Sequence, residues 1–265
     1  MLLAFDIGNT NIVIGIFDHN KLIHKWRLLS NVKKSADNYA IDIIELFLIE
    51  KIDCLKITGV VIASVVPSIT GLIHEAVKKF TSGDVAEKIL VVGQSAAKLD
   101  IDIQIKNKNE VGHDRLINAI AGYDKFGGNL IIIDFGTATT FDVVGAGGEY
   151  LGGAISPGIN LSLKALHEMT AQLPKISIRP QKNVIGKTTF EAMNSGVYFG
   201  YTSLIEGLVI KIEKELGKKT IRIITGGLAE IFRNSLAETI HHHEPDLILE
   251  GLKIIYQKYF NEFKS

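Results

Sequence analysis

One short unit opens both halves of this chain. Leu3-Ala4-Phe5-Asp6-Ile7-Gly8-Asn9-Thr10 and Ile131-Ile132-Ile133-Asp134-Phe135-Gly136-Thr137-Ala138 share a layout: an apolar strand, an Asp at its end, and a Gly two residues on. Repetition at about half the chain length marks a duplicated supersecondary unit, not the short period of a solenoid. With 265 residues and 46% hydrophobic content, the chain can bury a large core, and about 100 to 200 residues per domain fits two domains. The expected organisation is two similar α/β domains, 1–118 and 119–265.

Periodicity fills in the rest. Over 2–29 the β-branched and aromatic residues come in three runs, broken at Gly8-Asn9-Thr10-Asn11 and Asp18-His19-Asn20-Lys21, which predicts an antiparallel meander. Helical spacing covers 36–52, and a buried strand over 58–66 ends at Pro67. A helix over 72–80, a strand over 88–92 and a helix over 114–123 follow. The second half opens with strands at 130–134 and 141–144 and a turn at 145–148. It then shows helical patterns at 159–169, 189–216, 228–239 and 247–260 around a strand at 220–225. Strands alternating with helices fit an α/β layer fold.

Charge narrows the partners. Lys plus Arg number 29 and Asp plus Glu 29, with no long run of one sign. Neither nucleic acid nor an anionic membrane surface is therefore an expected partner. A single Cys54 forms no intramolecular disulfide, and no apolar stretch before Asp6 is long enough for a signal peptide, which points to the cytoplasm. The most apolar windows, 60–66 and 130–133, fall far short of the roughly 18 residues that span a bilayer.

Asp6-Ile7-Gly8-Asn9-Thr10 sits between two strands. There a Gly lets the main chain approach a ligand, successive amides and the Thr10 hydroxyl can hydrogen-bond phosphate oxygens, and Asp6 can hold a hydrated Mg²⁺. An ordinary hairpin turn reads the same way in isolation. The counterpart Asp134-Phe135-Gly136-Thr137 favours the phosphate reading, since two such hairpins facing each other across a cleft would clamp a triphosphate. Thr225-Gly226-Gly227 follows a strand and precedes a helix, where it can lie against an adenosine and its phosphates or serve as a plain turn. Glu110-Val111-Gly112-His113-Asp114-Arg115 opens a helix. Asp114 is then either a helix cap or, beside Arg115, a carboxylate that accepts a hydroxyl proton next to a guanidinium that holds an anion.

Taken in order, with Gly152-Gly153-Ala154-Ile155-Ser156-Pro157-Gly158, Ile185-Gly186-Lys187-Thr188-Thr189 and Ser195-Gly196, these segments resemble the type III pantothenate kinases through nearly the whole chain. The resemblance implies the α/β fold of the acetate kinase, sugar kinase and actin superfamily: two duplicated actin-like (ribonuclease H-like) domains with an ATP cleft between them. It implies transfer of the γ-phosphoryl group of ATP to the primary hydroxyl of pantothenate by a homodimer, with Mg²⁺ and a monovalent cation, K⁺ or NH₄⁺. Carried over by position, Asp6, Ile7, Gly8, Asn9, Thr10, Asn11, Ile12 and Val13 correspond to the ATP-phosphate segment, and Thr137 to a further ATP contact. Gly112, His113, Asp114 and Arg115 correspond to the pantothenate segment, with Asp114 as general base. Asp134 matches the monovalent-cation ligand, and Thr189 a pantothenate contact made across the dimer. Many relatives carry a Tyr and a Pro where this chain has Ile105 and Lys108, so a differently lined pantothenate pocket is expected. The stretch 189–216, with Phe190, Met193, Val197, Leu204 and Leu208 beside Tyr198 and Tyr201, has the composition of an interface helix, and burial inside one subunit accounts for it equally.

Other signals point nowhere. Gly186-Lys187-Thr188 imitates the end of a P-loop, but the Gly that motif requires five residues earlier is Gln181. His241, His242 and His243 are adjacent, so their imidazoles diverge; a solvated helix end is the expectation there, not a metal site. Trp26 and Phe47 read as core. Two rivals to the kinase reading stay open: another small-molecule kinase or a polyphosphate phosphatase of the superfamily, which would not need Gly112-His113-Asp114-Arg115, and a non-catalytic transcription accessory protein on the same fold. Intact Asp6, Asp114 and Asp134 favour catalysis.

Overall fold

The computed structural model describes residues 1–94 and 99–262. In chain order its elements are β1 (Leu2–Ile7), β2 (Asn11–Asp18), β3 (Lys21–Leu29), α1 (Ala36–Ile49), β4 (Gly59–Ser64), α2 (Pro67–Phe80), α3 (Gly83–Ala86), β5 (Ile89–Val91) and α4 (His113–Phe126). There follow β6 (Leu130–Phe135), β7 (Ala138–Val144), β8 (Tyr150–Pro157), α5 (Ile159–Glu168), α6 (Thr189–Leu216), β9 (Ile221–Thr225), α7 (Ala229–Phe232), β10 (His242–His243) and α8 (Leu247–Glu262). They form two compact units, one of 1–100, 109–121 and 248–265, the other of 101–108 and 122–247.

Each unit is built on a five-stranded sheet, and the two sheets have the same order: β3-β2-β1-β4-β5 in the first, β8-β7-β6-β9-β10 in the second. β1 and β6 occupy equivalent positions, antiparallel to the next strand in sequence and parallel to β4 and β9. Asp6 lies across from Val13 on one side and Ala63 on the other; Asp134 lies between Thr140 and Thr225. Both strands are covered on both faces, which is why LLAFDI and LIIIDF read as continuous apolar runs and not as alternation. The duplication read from the sequence is thus a duplication of topology.

The chain-order boundary at 118/119 falls inside α4, and two segments pack against the unit from the other half of the sequence. Segment 102–104 lies beside β8, where the Gln104 amide donates to the Tyr150 carbonyl and the Tyr150 amide to the Asp102 carbonyl, both at 2.8 Å. Helix α8 belongs to the first unit. Its Gln257 donates to Asn20 Oδ1 at 2.9 Å, Lys253 sits 5.2 Å above the Phe17 ring, and burial pushes the Tyr256 hydroxyl up to about 12.

Several boundaries move for identifiable reasons. Helix α1 carries a capping box from Ser35 and Asn38 and ends at Ile49, because Lys51 adopts a left-handed φ of 57°. Pro67 does not merely end a strand; it stands in the first turn of α2, where its missing amide proton costs nothing. The helix expected over 228–239 is a single turn, α7, after which the Ser235 hydroxyl donates to the Phe232 carbonyl. His242 and His243 are not a helix end but the edge strand β10, paired with Ile223 and Ile224. His242 stacks on Phe126 with ring centroids 4.2 Å apart, His243 meets Glu230 at 3.2 Å, and His241 Nδ1 accepts the Arg222 amide at 3.0 Å. Among the described residues no set of His, Cys, Asp or Glu is gathered to hold a metal, and no helix is long and apolar enough to cross a membrane. Phe47 is core, and Trp26 packs partly buried against it.

In the second unit Val197, Tyr198 and Tyr201 of α6 are buried in the core, with Leu204 and Leu208 packed against it. Burial within one subunit accounts for Val197, Tyr198 and Tyr201, while Leu204 and Leu208 are only partly buried.

The far end of α6 is held by Glu213, whose side chain is only 8% exposed. Burial alone would raise its carboxyl. Hydrogen bonds from Lys219, from the Thr220 amide and hydroxyl, and the charge of Arg222 outweigh that and bring it down to about 2. A carboxyl depressed in the fold contributes stability above its unfolded value of 4.5 and loses it as the pH falls towards about 2. Lys219 is 87% exposed, so its share is screened. We expect Glu213→Gln to cost about 1–3 kcal/mol at neutral pH, read as a lower melting temperature. The gap between variant and parent should close in acid; a gap of constant size from pH 7 to pH 3 would rule out this role.

Candidate functional site

In the first unit the sequence-predicted phosphate segment is a tight hairpin. The Gly8 amide donates to the Asn11 carbonyl at 2.9 Å, leaving Asn9 and Thr10 exposed at the tip. Ser30, just past β3, fixes this turn: its hydroxyl donates to the Gly8 carbonyl at 2.5 Å and its amide to the Thr10 carbonyl at 3.0 Å. Asp6, Asn11 and Val13 are half-buried, whereas Ile7 and Ile12 are fully buried core residues that can meet a ligand only through their main chain.

The second pair of candidate residues in this unit opens α4. The Gly112 carbonyl accepts the amides of Arg115 at 3.1 Å and Leu116 at 3.4 Å, so Gly112 holds the cap position and Asp114 lies inside the first turn. Asp114 folds back over Gly112, where a methyl group would lie 2.4 Å from its Oδ1. Arg115 follows, half-buried. His113 turns its ring onto the main chain of Gly93, a residue the sequence reading did not single out.

In the second unit three glycine turns that are distant in sequence converge. The β6–β7 turn is one residue tighter than its counterpart: Phe135 pairs with Thr139, and the Gly136 amide donates to the Ala138 carbonyl at 3.1 Å. Gly158, which caps α5, approaches so closely that a methyl there would sit 2.0 Å from the Thr137 carbonyl. Gly226, at φ +91°, brings the turn after β9 against Asp134, where a methyl would lie 2.3 Å from Oδ1 and 2.7 Å from the Phe135 amide nitrogen. Gly136 and Thr137 are exposed between them. Tyr201 of α6 braces this region by donating to the Pro157 carbonyl at 2.5 Å, with Ser162 at 2.7 Å from the same hydroxyl. Nothing in the spacing of Ser30, Tyr201 or Gly93 marks them, because each acts on a segment far along the chain.

Thr189 is the first residue of α6, exposed, after a Thr188 cap that accepts the Glu191 amide at 3.1 Å. Val184, Ile185 and Phe190 beside it are 66%, 74% and 43% exposed. Of the two departures, Ile105 packs on Gly152 in the second unit and Lys108 is exposed, 3.7 Å from Asp102.

Asp134 is half-buried with a carboxylate oxygen close against Gly226, and is the residue of this turn that could hold a cation. Asp6, half-buried near the end of β1 beside the exposed turn, is the residue of the first unit whose carboxylate oxygens could hold a hard cation.

Two sheets of one topology, each with an Asp-x-Gly hairpin at its central strand, define the duplicated actin-like α/β fold. Solved structures share it: an inorganic polyphosphate/ATP-glucomannokinase from Arthrobacter sp. at TM-score 0.50 and 15% identity, covering 97% of this chain and 98% of that one. A Campylobacter jejuni protein assigned to the Baf family of transcriptional activators matches at TM-score 0.59 and 19% identity over 98% and 99% of the two chains. Within that fold the sequence is specific. Residues 2–211 match the model of the type III pantothenate kinases, and the chain belongs to that family. The type III pantothenate kinase of Paramagnetospirillum magneticum is 43% identical over 97% of both chains, and that of Exiguobacterium sp. 40% identical over 97% of this chain and 99% of its own.

Proposed function

We propose that this protein phosphorylates the primary hydroxyl of pantothenate with ATP, giving 4′-phosphopantothenate and ADP, the first step towards coenzyme A. The observation that carries the reading is Gly112-His113-Asp114-Arg115 at the start of α4, with the carboxylate of Asp114 in the first turn and the guanidinium of Arg115 next to it. Asp114 accepts the hydroxyl proton as the pantothenate oxygen attacks the γ-phosphorus in line. The bond to the β–γ bridging oxygen breaks, and ADP leaves with the electron pair. Arg115 and the Gly112 main chain hold pantothenate. The amides and Thr10 hydroxyl of the first turn, and Thr137 of the second, orient phosphate oxygens. Asp6 would hold Mg²⁺ through water and Asp134 a K⁺ or NH₄⁺ ion, each supplying positive charge against the triphosphate where neither turn contains a Lys. Most of the rate then comes from positioning and charge neutralisation.

A coupled assay of ADP formation with and without pantothenate tests the reading, and ADP formation indifferent to pantothenate would end it. The same assay separates it from a non-catalytic regulator or from a kinase with another substrate. The reading places the enzyme in the cytoplasm.

We also propose that the active form is a homodimer in which Thr189 of one subunit completes the pantothenate site of the other. The exposed Val184, Ile185 and Phe190 around it support this, being apolar residues that a subunit contact would cover. Sedimentation at assay concentrations should give a dimer. A fully active monomer would leave Thr189 no such role.

A further inference from the structure

His113 stands between the cap of α4 and the proposed base, with its ring close against Gly93. A methyl built on Gly93 would lie 2.2 Å from Cε1, 2.4 Å from Nε2 and 2.8 Å from Nδ1 of this ring. The imidazole therefore fills the space that any other residue at position 93 would use for its Cβ. Gly93 is also left-handed, at φ +82°, a conformation that side chains of L-residues rarely adopt. Two independent features thus call for glycine at the spot where His113 rests.

That spot is rigid. Gly93 follows β5 by two residues, and the Val92 amide before it donates to the Ile62 carbonyl of β4 at 2.8 Å. The Gln94 amide after it donates to the Val91 carbonyl at 3.2 Å. Strand β4 in turn pairs with β1, Ala63 lying across from Asp6. The ring of His113 therefore keys the first turn of α4 to the sheet that carries Asp6. The next residue in that turn is Asp114, whose carboxylate folds over Gly112. Proton transfer in a phosphoryl transfer tolerates little error in the base, and misplacement by about 1 Å can cost up to a hundredfold.

We infer that His113 is a positioning residue, setting where the Asp114 carboxylate stands by packing its imidazole on the main chain of Gly93, and not a group that contacts pantothenate. This rests on the pantothenate kinase reading and on Asp114 as its base.

The test measures kcat, and KM for pantothenate and for ATP, in the full-length enzyme and in His113→Ala, His113→Phe, Gly93→Ala and the double variant Gly93→Ala/His113→Ala. His113→Ala is expected to lower kcat about tenfold with both KM values within about twofold of the parent. His113→Phe keeps a flat ring on Gly93 and should retain kcat within about threefold. Gly93→Ala should cost far more kcat with His113 present than with His113→Ala, because the methyl then meets no ring. A raised pantothenate KM with unchanged kcat in His113→Ala would show a substrate contact and overturn the inference. So would His113→Phe as impaired as His113→Ala, since that would show that the imidazole nitrogens matter. If Gly93→Ala does not fold, the Phe and Ala variants at position 113 decide alone. An active parent with His113→Ala equal to it overturns only the role of His113, whereas a parent without pantothenate-dependent ADP formation overturns the kinase reading and this role with it.

Discussion

Asp114→Asn should lower turnover by a factor of about 100 or more while the protein stays folded. The substitution preserves volume and removes the proton acceptor. The fold tolerates it because Gly112, not Asp114, holds the cap position: its carbonyl takes the first amide bonds of α4, from Arg115 and Leu116. What the helix loses is a carboxylate near its positive end, worth about 0.3–1 kcal/mol. The two roles open to Asp114 thus give opposite signatures. A base predicts a collapse of kcat with a small change in melting temperature and little change in KM for ATP. A residue that serves only the helix predicts a lower melting temperature with near-parental turnover, and that result would remove Asp114 from the mechanism.

Asp134→Ala should abolish stimulation by K⁺ or NH₄⁺ and lower activity about tenfold or more. Asp134 is the last residue but one of β6 and lies close against Gly226, and neither hairpin turn carries a Lys to offset the charge of ATP. A cation bound there would be the largest positive charge local to the second turn. Two measurements bear on it. ADP formation should rise when Na⁺ is replaced by K⁺ in the parent and not in the variant. In the presence of ADP, K⁺ should raise the melting temperature of the parent by mass action and leave Asp134→Ala unmoved. Equal activity in Na⁺ alone together with an active Asp134→Ala would contradict the assignment.

How far each site was legible depended on how local it is. The two Asp-x-Gly hairpins could be read because a strand, its terminal Asp and the turn Gly are fixed by neighbours along the chain. The first turn of α4 was legible for the same reason, and the structure moves its start by only one residue, to His113. Ile7 and Ile12 fall inside the phosphate segment by sequence, yet their side chains belong to the core, since strand alternation and the two covered faces of the sheet send them inward. The adjacent histidines were misjudged because β10 exists only by pairing with β9, which lies about twenty residues earlier and leaves no local pattern.

The sequence by itself determined the duplicated unit, the α/β class, the family and the residues in each candidate segment, because those rest on order and spacing along one chain. Only the tertiary structure decided that Gly158 and Gly226 close on the Asp134 to Thr137 turn, that Ser30 and Tyr201 brace the two site regions, that α8 completes the first unit, and that His113 rests on Gly93. These contacts join residues about twenty to more than two hundred positions apart. They follow from the path of the chain through two sheets, which no period of 2 or 3.6 residues records.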